Sequence, residues 1–325
     1  MHYCDQLRSL LYLSIDRCVK DGSDSLLLSG GLDSSILAYI LTDNGYDVTA
    51  ICIGYSDSED IKYSSTVAER LGMKYKQEHV EIEDMLRALN DVVRIMRSFD
   101  PMEVRNSIVV YLALRRLRES GCRHAITGDG SDELFAGYNY MLRMNYDELS
   151  KELARLKGIM HFSSAVLGEQ IGIDVSLPYL ELKDYASSIP VHMKVSDRKG
   201  KRYGKFILRS CFEDVLGEQI AWRVKVPMEE GANTSILKEY FNTIIDDDTF
   251  IDRCNEYNSN EYVSIRNKEH LYYYEVYRRF FEPPYRYADS THVCPSCKGG
   301  IDANARFCRI CGAYPVKPLS KEEVL

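Results

Sequence analysis

The sequence has 325 residues, enough for one large domain or two of ordinary size, and its composition of 45% hydrophobic and 28% charged residues fits a soluble globular protein. The formal net charge of −8 argues against broad, sequence-independent binding to nucleic acids. No apolar run approaches the roughly 20 residues that span a bilayer, and residues 1–5 lack the start of a signal peptide. We therefore expect a cytoplasmic protein with no membrane partner.

Strands and helices alternate along the first 130 residues. Short apolar runs predict strands, and apolar residues that recur every three or four positions predict helices. In chain order we expect a helix over 1–20, strands over 25–28 and 48–54, a helix over 59–71, a strand over 75–80, helices over 82–97 and 108–117, and a strand over 124–127. This alternation predicts an α/β fold, in which a parallel sheet is covered by helices on both faces.

The pattern changes after Tyr140. Strand signals fade, and helical signals dominate from about 145 to 286. We therefore predict a first domain over 1–286, with a sheet core to about 140 and a helical second lobe over 141–286. Two prolines, Pro283 and Pro284, interrupt the helical pattern and indicate a linker to a separate small unit over 287–325.

The heptad Ser-Gly-Gly-Leu-Asp-Ser-Ser occupies residues 29–35, between the first strand and an apolar-striped helix. Free backbone N–H groups at such a glycine turn, together with the helix dipole, favour an anion. Asp33 would repel a phosphate unless a cation such as Mg²⁺ lay between them. The heptad lacks the Gly-Lys-Ser/Thr ending of the P-loop, and it resembles the SGGxDS pyrophosphate loop of ATP pyrophosphatases. A serine-glycine turn without a ligand is the alternative interpretation.

A second glycine-acid loop follows the strand predicted over 124–127. Its sequence, GDGSDELFAGY over 128–138, places the carboxylates of Asp129, Asp132 and Glu133 within five residues. Like charges at this spacing repel one another unless a cation or a proton intervenes. A shared Mg²⁺ would resolve the conflict, and an acidic helix N-terminus is the alternative. Because ligands bind at the carboxyl ends of parallel strands, we expect the two loops to converge.

Together with later segments, these loops resemble the synthetase domain of asparagine synthetase and its relatives, the β-lactam and carbapenam synthetases. The later segments are LPYLE over 177–181, KFILR over 205–209, WRVK over 222–225 and the aromatic-rich stretch over 267–281. The resemblance covers roughly residues 5–286. It implies an ATP pyrophosphatase fold and an AMP-forming ligase, which adenylates a carboxylate, releases pyrophosphate and forms an amide.

The resemblance also implies roles for individual residues. Asp33 and Asp132 would hold Mg²⁺, and Lys205 and Lys225 would neutralise the departing pyrophosphate. Asp129 occupies the position of an acidic residue that assists proton transfer during attack by the amine. The residues that would cradle the phosphates of ATP are Ser29, Gly30, Gly31, Asp33, Ser34, Ser35 and Gly128. Without the flanking motifs, each lysine would be interpreted as a solvated surface residue.

Two departures from the family pattern concern the substrates. The usual member begins with Met-Cys and carries a glutaminase domain before the synthetase domain, which this sequence does not show. We therefore expect ammonia, another amine or a separate glutaminase subunit to supply nitrogen. Ser176 stands where an arginine is common, and Arg105 alone offers an incomplete set of cations for an aspartate. Aspartate is the leading carboxylate, but the adenylation chemistry is better supported than the substrate.

Ten cysteines occur in the chain. Cys294, Cys297, Cys308 and Cys311 form two CxxC pairs, whose spacing predicts a zinc ribbon with a structural, four-thiolate Zn²⁺. The unit has no basic patch for nucleic acid, so a structural or partner-binding role is favoured. The other six are expected to be buried free thiols: Cys4, Cys18, Cys52, Cys122, Cys211 and Cys254.

Two other functions compete with an amide-forming synthetase. One is an ATP pyrophosphatase that modifies a nucleobase or tRNA, with the ribbon docking RNA. Such enzymes are not expected to share GDGSDELFAGY, KFILR and WRVK. The other is a non-catalytic scaffold derived from a synthetase, against which the joint presence of Asp33, Asp132, Lys205 and Lys225 argues.

Overall fold

A computed structural model describes residues 2–22, 24–288 and 290–323. Its tertiary contacts divide the chain into one unit of Met1–His79 and Leu112–Ala232 and a second of Val80–Tyr111 and Asn233–Leu325. Both units are therefore discontinuous in sequence. The sequence analysis placed a lobe boundary near residue 140 and a domain boundary near residue 286, and the contact-based units do not follow them. Those domain boundaries stay a prediction.

A five-stranded parallel sheet forms the centre of the first unit. Its strands in chain order are β1 (Ser25–Leu27), β2 (Thr49–Gly54), β3 (Lys74–His79), β4 (His124–Ile126) and β5 (Asp174–Ser176), and their spatial order is β3-β2-β1-β4-β5. Ser25 pairs in register with Thr49 on one side and with Ala125 on the other. Because β1 and β4 are parallel neighbours, the loops that follow them leave the same edge of the sheet.

Helices pack on this sheet through apolar stripes. The helices of the first unit are α1 (His2–Lys20), α2 (Leu32–Asp43), α3 (Glu59–Leu71), α6 (Ser131–Phe135), α7 (Tyr146–Gly158), α8 (Ser163–Ile171), α9 (Lys183–Ser188), α10 (Val191–Lys194), α11 (Phe206–Leu216), α12 (Glu218–Ala221) and α13 (Met228–Gly231). Ile36, Leu37 and Ile40 of α2 are fully buried, as their helical spacing predicted. The predicted α/β class, with a parallel sheet and covering helices, is confirmed.

Two features of the first unit were not predicted. The sheet gains β5, and an antiparallel hairpin pairs β6 (Ser196–Arg198) with β7 (Lys201–Tyr203), within a stretch expected to be helical. Like β1 and β4 these strands are three residues long, but their sequences, DVS, SDR and KRY, lack the short apolar run that predicts a strand. Their positions are set by pairing with residues distant in sequence or across a tight turn.

Cys4 and Cys211 form a disulfide, with their Cα atoms 5.3 Å apart. The prediction that both are free thiols is therefore wrong. Cys4 lies on α1 and Cys211 on α11, and the two helices share an apolar core that includes Leu7, Leu11 and Phe212. Packing thus brings together two cysteines separated by 207 residues, a pairing that spacing could not reveal. The other scattered cysteines are free, with Cys18 and Cys52 buried and Cys122 and Cys254 partly exposed.

The second unit combines helices with a small antiparallel sheet. Its helices are α4 (Ile82–Met96), α14 (Ile236–Ile244), α15 (Asp247–Glu261) and α16 (Lys268–Arg278), while α5 (Pro101–Glu119) contributes residues to both units. The sheet has the order β10-β8-β9, from β8 (His292–Val293), β9 (Gly300–Ile301) and β10 (Leu319–Ser320). Phe99 packs in an aromatic core, its ring centroid 4.8 Å from that of Tyr274. Among the described helices, none has the length and apolar character to cross a membrane.

Candidate active site and metal centre

The heptad forms a tight turn between β1 and α2. Gly30 adopts a φ of +68°, and a Cβ at this position would lie 2.4 Å from the backbone nitrogen of Ser64. A side chain is therefore excluded by both conformation and space. The Ser29 and Ser34 hydroxyls lie 3.2 Å apart, and the Gly31 N–H donates to Ser29 Oγ over 3.3 Å. These long hydrogen bonds leave polar groups in the turn that an anion could engage.

Ser35 occupies a different environment from Ser29 and Ser34. Its side chain is fully buried, and its hydroxyl has no hydrogen-bond partner among the described residues. Its backbone N–H donates to Gly31 O over 3.0 Å, which starts helix α2. In this conformation the Ser35 hydroxyl is not accessible to a phosphate, and its role in phosphate binding remains a prediction.

The two glycine loops meet, as the order of the strands requires. A Cβ added to Gly128 would lie 3.1 Å from the Cβ of Asp33. Ser131, in the second loop, donates to Asp33 Oδ1 over 2.7 Å. The Tyr179 hydroxyl donates to the backbone oxygen of Asp33 over 3.1 Å. Asp33 is therefore held by two other segments of the chain, the second loop and the segment that contains Tyr179.

Two lysines neutralise the carboxylates where the loops meet. The Nζ atom of Lys205 lies 2.8 Å from Asp132 Oδ1 and also contacts Asp33 Oδ2, while Lys225 forms an ion pair with Asp132. Burial alone would raise the pKa of Asp132, but the charges of Lys205 and Lys225 outweigh it and hold this pKa well below its usual range. Burial opposes the charge on Lys205, yet Asp132 and Asp33 raise its pKa. Lys205 and Asp132 therefore carry opposite charges at neutral pH.

The backbone around Lys205 is closely packed. A Cβ on Gly137 would lie 1.8 Å from Asp132 Oδ1 and 2.2 Å from Lys205 Cε, and a Cβ on Gly204 would lie 2.1 Å from Ala136 O. The Lys205 N–H donates to Phe135 O over 3.0 Å. The last part of the second acidic loop, residues 135–137, therefore forms the surface against which Lys205 is fixed.

Arg209 connects the two lysine motifs. Its side chain donates to Gly204 O over 2.8 Å, to Ala221 O over 2.7 Å and to Arg223 O over 2.9 Å. The residue is only 5% exposed, so each of these carbonyls would lose a buried partner without it. Arg209 thus ties the turn before Lys205 to the segment that leads to Lys225.

Arg223 contacts the first glycine loop. Its Nη1 atom donates to Gly30 O over 3.4 Å, and its guanidinium carbon lies 3.7 Å from the ring centroid of Tyr63. Its Nη2 atom lies 3.7 Å from Asp60 and 3.2 Å from Glu59. Arg223 therefore joins the first loop to the beginning of α3.

Asp129, the candidate base, lies beside two hydroxyl groups. Ser164 and Thr127 both donate to its Oδ2 atom, Thr127 over 3.1 Å. Burial raises the pKa of Asp129 above its usual value, although both hydrogen bonds oppose the shift. A carboxylate with a raised pKa is better matched to accepting and returning a proton near neutral pH.

The four cysteines of the two CxxC pairs come together in the second unit. All four are fully buried, and their sulfur atoms lie within 4.8 Å of one another. The sulfur atoms of Cys294 and Cys311 are 3.8 Å apart, and those of Cys297 and Cys308 are 3.7 Å apart. Tetrahedral zinc with Zn–S bonds of about 2.3 Å would separate its sulfur ligands by about 3.8 Å. The donor set and its spacing therefore fit a zinc ion.

The rest of the second unit holds this cysteine cluster through its backbone. Ser98 Oγ donates to Arg309 O over 2.7 Å, the Phe99 N–H donates to Ile310 O over 2.8 Å, and Arg266 donates to Cys311 O over 2.6 Å. These acceptors belong to the turn that carries Cys308 and Cys311. The ribbon is therefore an integral part of the packing of its unit.

A family model described as "Asparagine synthase" matches residues 6–175 and 170–293. The chain belongs to the asparagine synthase family. A relative from Asparagus officinalis, asparagine synthetase [glutamine-hydrolyzing], is 28% identical over 291 residues, which cover 82% of this chain and 49% of the relative. A probable asparagine synthetase [glutamine-hydrolyzing] from Dictyostelium discoideum is 29% identical over 271 residues, 74% of this chain and 49% of the relative.

The chain thus spans about half the length of these curated relatives of the asparagine synthase family. Among solved structures, an NMN synthetase from Francisella tularensis is similar at 15% identity, with a TM-score of 0.31 over 57% of this chain and 92% of that one. The family assignment is therefore based on the sequence matches.

Membership of the asparagine synthase family implies ATP and a magnesium ion. The carboxylates of Asp33 and Asp132 contact the same atom, Lys205 Nζ, so both lie within reach of one cation. Carboxylate oxygens are preferred magnesium ligands. The residues present therefore fit the ion, and Asp33 and Asp132 are the side chains that would hold it.

Several residues around the site had no role assigned from the sequence of this asparagine synthase domain. Ser131 and Tyr179 hold Asp33, and Ser164 holds Asp129. These contacts join segments that are distant in sequence. Ser131 and Tyr179 lie in motifs that resemble the family, GDGSDELFAGY and LPYLE, whereas no motif indicated Ser164. Arg105, considered as a cation for substrate, instead forms a buried ion pair with Glu269 over 2.6 Å.

Proposed function

We propose that this asparagine synthase domain activates a carboxylate with ATP and converts it to an amide. A carboxylate oxygen attacks the α-phosphorus, and the bond to the pyrophosphate oxygen breaks, which gives an acyl-adenylate and pyrophosphate. An amine then attacks the acyl carbon, the bond to AMP breaks, and the amine loses a proton. Aspartate is the leading substrate, with asparagine as its product.

The observation that carries this proposal is the placement of Lys205 between Asp33 and Asp132, where the two glycine loops meet. Negative charge builds up on pyrophosphate as it leaves, and preorganised cations lower the free energy of that transition state. Lys205 and Lys225 would supply two such cations. Magnesium, held by Asp33 and Asp132, would supply further charge neutralisation when bound.

Other residues would bind and orient the nucleotide. The turn that contains Ser29, Gly30, Gly31 and Ser34 offers N–H and hydroxyl groups to phosphate oxygens, with Gly128 opposite. Holding both reactants in line accounts for much of the acceleration in phosphoryl and acyl transfer. Asp129 would accept the proton from the attacking amine, because its raised pKa suits that task.

Carboxylate-dependent exchange of labelled pyrophosphate into ATP tests the first step. We expect exchange with aspartate in a panel of carboxylates, and its loss in Asp33→Asn and in Asp132→Asn. Asp252→Asn, an exposed residue on α15, is a matched control that should retain exchange. Wild-type exchange in both site variants would show that the magnesium assignment is wrong. Absence of exchange with every carboxylate would refute the proposed adenylation.

The second step has its own assay. We expect amide formation with ammonia, whereas glutamine should support it only when a separate glutaminase is added. Asp129→Asn should slow amide formation by roughly 10²–10⁴-fold while pyrophosphate exchange continues. Exchange that depends on added RNA instead of a carboxylate would favour the alternative, modification of a nucleobase or tRNA.

A further inference from the structure

Lys225 lies in a segment without regular secondary structure. Residues 223–227 belong to neither a helix nor a strand. Lys225 is partly exposed, at 27% of its side chain, whereas the Lys205 side chain is 4% exposed. A long, partly solvated lysine side chain loses side-chain entropy when it is fixed at one position. A second contact, besides the ion pair with Asp132, would offset this cost and favour the conformation in which Lys225 faces Asp132.

The aromatic ring of Tyr138 is placed to do this. The Lys225 ammonium lies 4.8 Å from the centroid of the Tyr138 ring, within the range of a cation–π interaction. Tyr138 ends the second acidic loop and lies six positions after Asp132 in the sequence. The same ammonium therefore contacts a carboxylate and an aromatic ring from one loop.

The ring itself is held from two sides. The Tyr138 hydroxyl donates to Glu133, which fixes the edge of the ring. The ring of Tyr140 lies nearly parallel to it, with centroids 5.9 Å apart and an angle of 17° between the planes. The Tyr140 hydroxyl donates in turn to the buried Glu152 over 2.8 Å. Tyr138 therefore offers a held aromatic face to a cation that lies outside regular secondary structure.

We propose that Tyr138 is a positioning residue that holds Lys225 beside the departing pyrophosphate. This inference rests on the proposed adenylation. The aromatic face contributes the attraction, and the hydroxyl serves only to orient the ring through Glu133. Tyr138→Phe loses the contact with Glu133 but keeps the aromatic face and its stack on Tyr140, so it retains most of the effect, whereas Tyr138→Leu removes the aromatic face while keeping an apolar side chain.

Kinetics provide the first test. In pyrophosphate exchange, Tyr138→Leu should lower kcat/KM for ATP roughly tenfold, and Tyr138→Phe should stay within about twofold of the wild type. The affinity for magnesium ATP, measured by calorimetry, should fall in Tyr138→Leu but not fall further when Lys225→Met is added to it. Equal losses in the Phe and Leu variants, or additive losses in the double variant, would overturn the proposal.

A spectroscopic test is independent of the reaction. Reductive ¹³C-methylation keeps the charge of lysine, and the Lys225 signal is identified by its absence in Lys225→Met. The ring current of Tyr138 should shift this signal upfield in the wild type and in Tyr138→Phe, but not in Tyr138→Leu. A signal that is unshifted in the wild type would overturn the proposal. If no carboxylate supports exchange, the proposed function fails, while a shifted signal would still show that Tyr138 holds Lys225.

Discussion

Lys205 Nζ lies 2.8 Å from Asp132 Oδ1 at the meeting point of two loops that are about a hundred residues apart in sequence. The same atom contacts Asp33, so a single ammonium group neutralises a carboxylate from each loop. The Lys205 side chain is 4% exposed, and the carboxylates of Asp33 and Asp132 are 20% and 22% exposed. Removal of one member of such a cluster leaves charges that water only partly solvates.

Replacement of Lys205 should therefore destabilise the protein more than replacement of Lys225. We expect Lys205→Met to lower the free energy of unfolding by about 2–3 kcal/mol, less than for a fully buried pair because both carboxylates are partly solvated. Lys225→Met should cost less than about 1 kcal/mol, since this lysine is more exposed. Urea unfolding of both variants measures the difference. Equal losses would contradict the unequal burial of the two lysines.

Gly137 should be required for activity because of the space it leaves. In Gly137→Ala, the new Cβ would lie 1.8 Å from Asp132 Oδ1 and 2.2 Å from Lys205 Cε, which forces the ion pair apart. A displacement of about 1 Å can cost roughly a hundredfold in rate, so we expect a loss of that size in pyrophosphate exchange. Gly158→Ala, where nothing lies within 4 Å, is the matched control and should behave as wild type. Similar rates for the two variants would contradict the close packing at Gly137.

Asp60 should make stability depend on pH. Burial raises its pKa to about 7, with Glu59 adding to the shift and Arg223 opposing it. The folded state thus binds a proton more tightly than the unfolded chain, whose carboxyl titrates near 3.8. Asp60 consequently contributes its full stability below about pH 4, and that contribution is lost as the pH rises through about 7. The difference in unfolding free energy between wild type and Asp60→Asn should fall over this window, and a constant difference would contradict the raised pKa.

The sequence predicted those elements and loops that short-range residue patterns specify. The helix predicted over 59–71 has the same bounds in the structure, and the strand predicted over 75–80 is shifted by one residue. The convergence of the two loops followed from their positions after parallel strands. The element bounds and the positions of the loops can be predicted because they depend on residues that are close together in the sequence.

The features that were missed depend on distant contacts. Strand β5 is identified by its pairing with β4, and the disulfide joins Cys4 to Cys211 across 207 residues. Ser164 and Tyr179 reach the site through hydrogen bonds that no spacing encodes. Tertiary packing determines these contacts, so they become visible only once the chain is folded.

Removal of zinc should loosen the second unit around Phe99. The Phe99 N–H donates to Ile310 O over 2.8 Å, and Ile310 lies between Cys308 and Cys311, two of the four cysteines that would hold zinc, so loss of the metal should release this acceptor. We expect about one zinc per chain, and faster hydrogen exchange of the Phe99 amide in Cys308→Ser or after chelation. Cys254→Ser, at a free cysteine on α15, should keep both the zinc and the slow exchange. Unchanged exchange at Phe99 in a zinc-free protein would show that the cysteine cluster holds this turn without the metal.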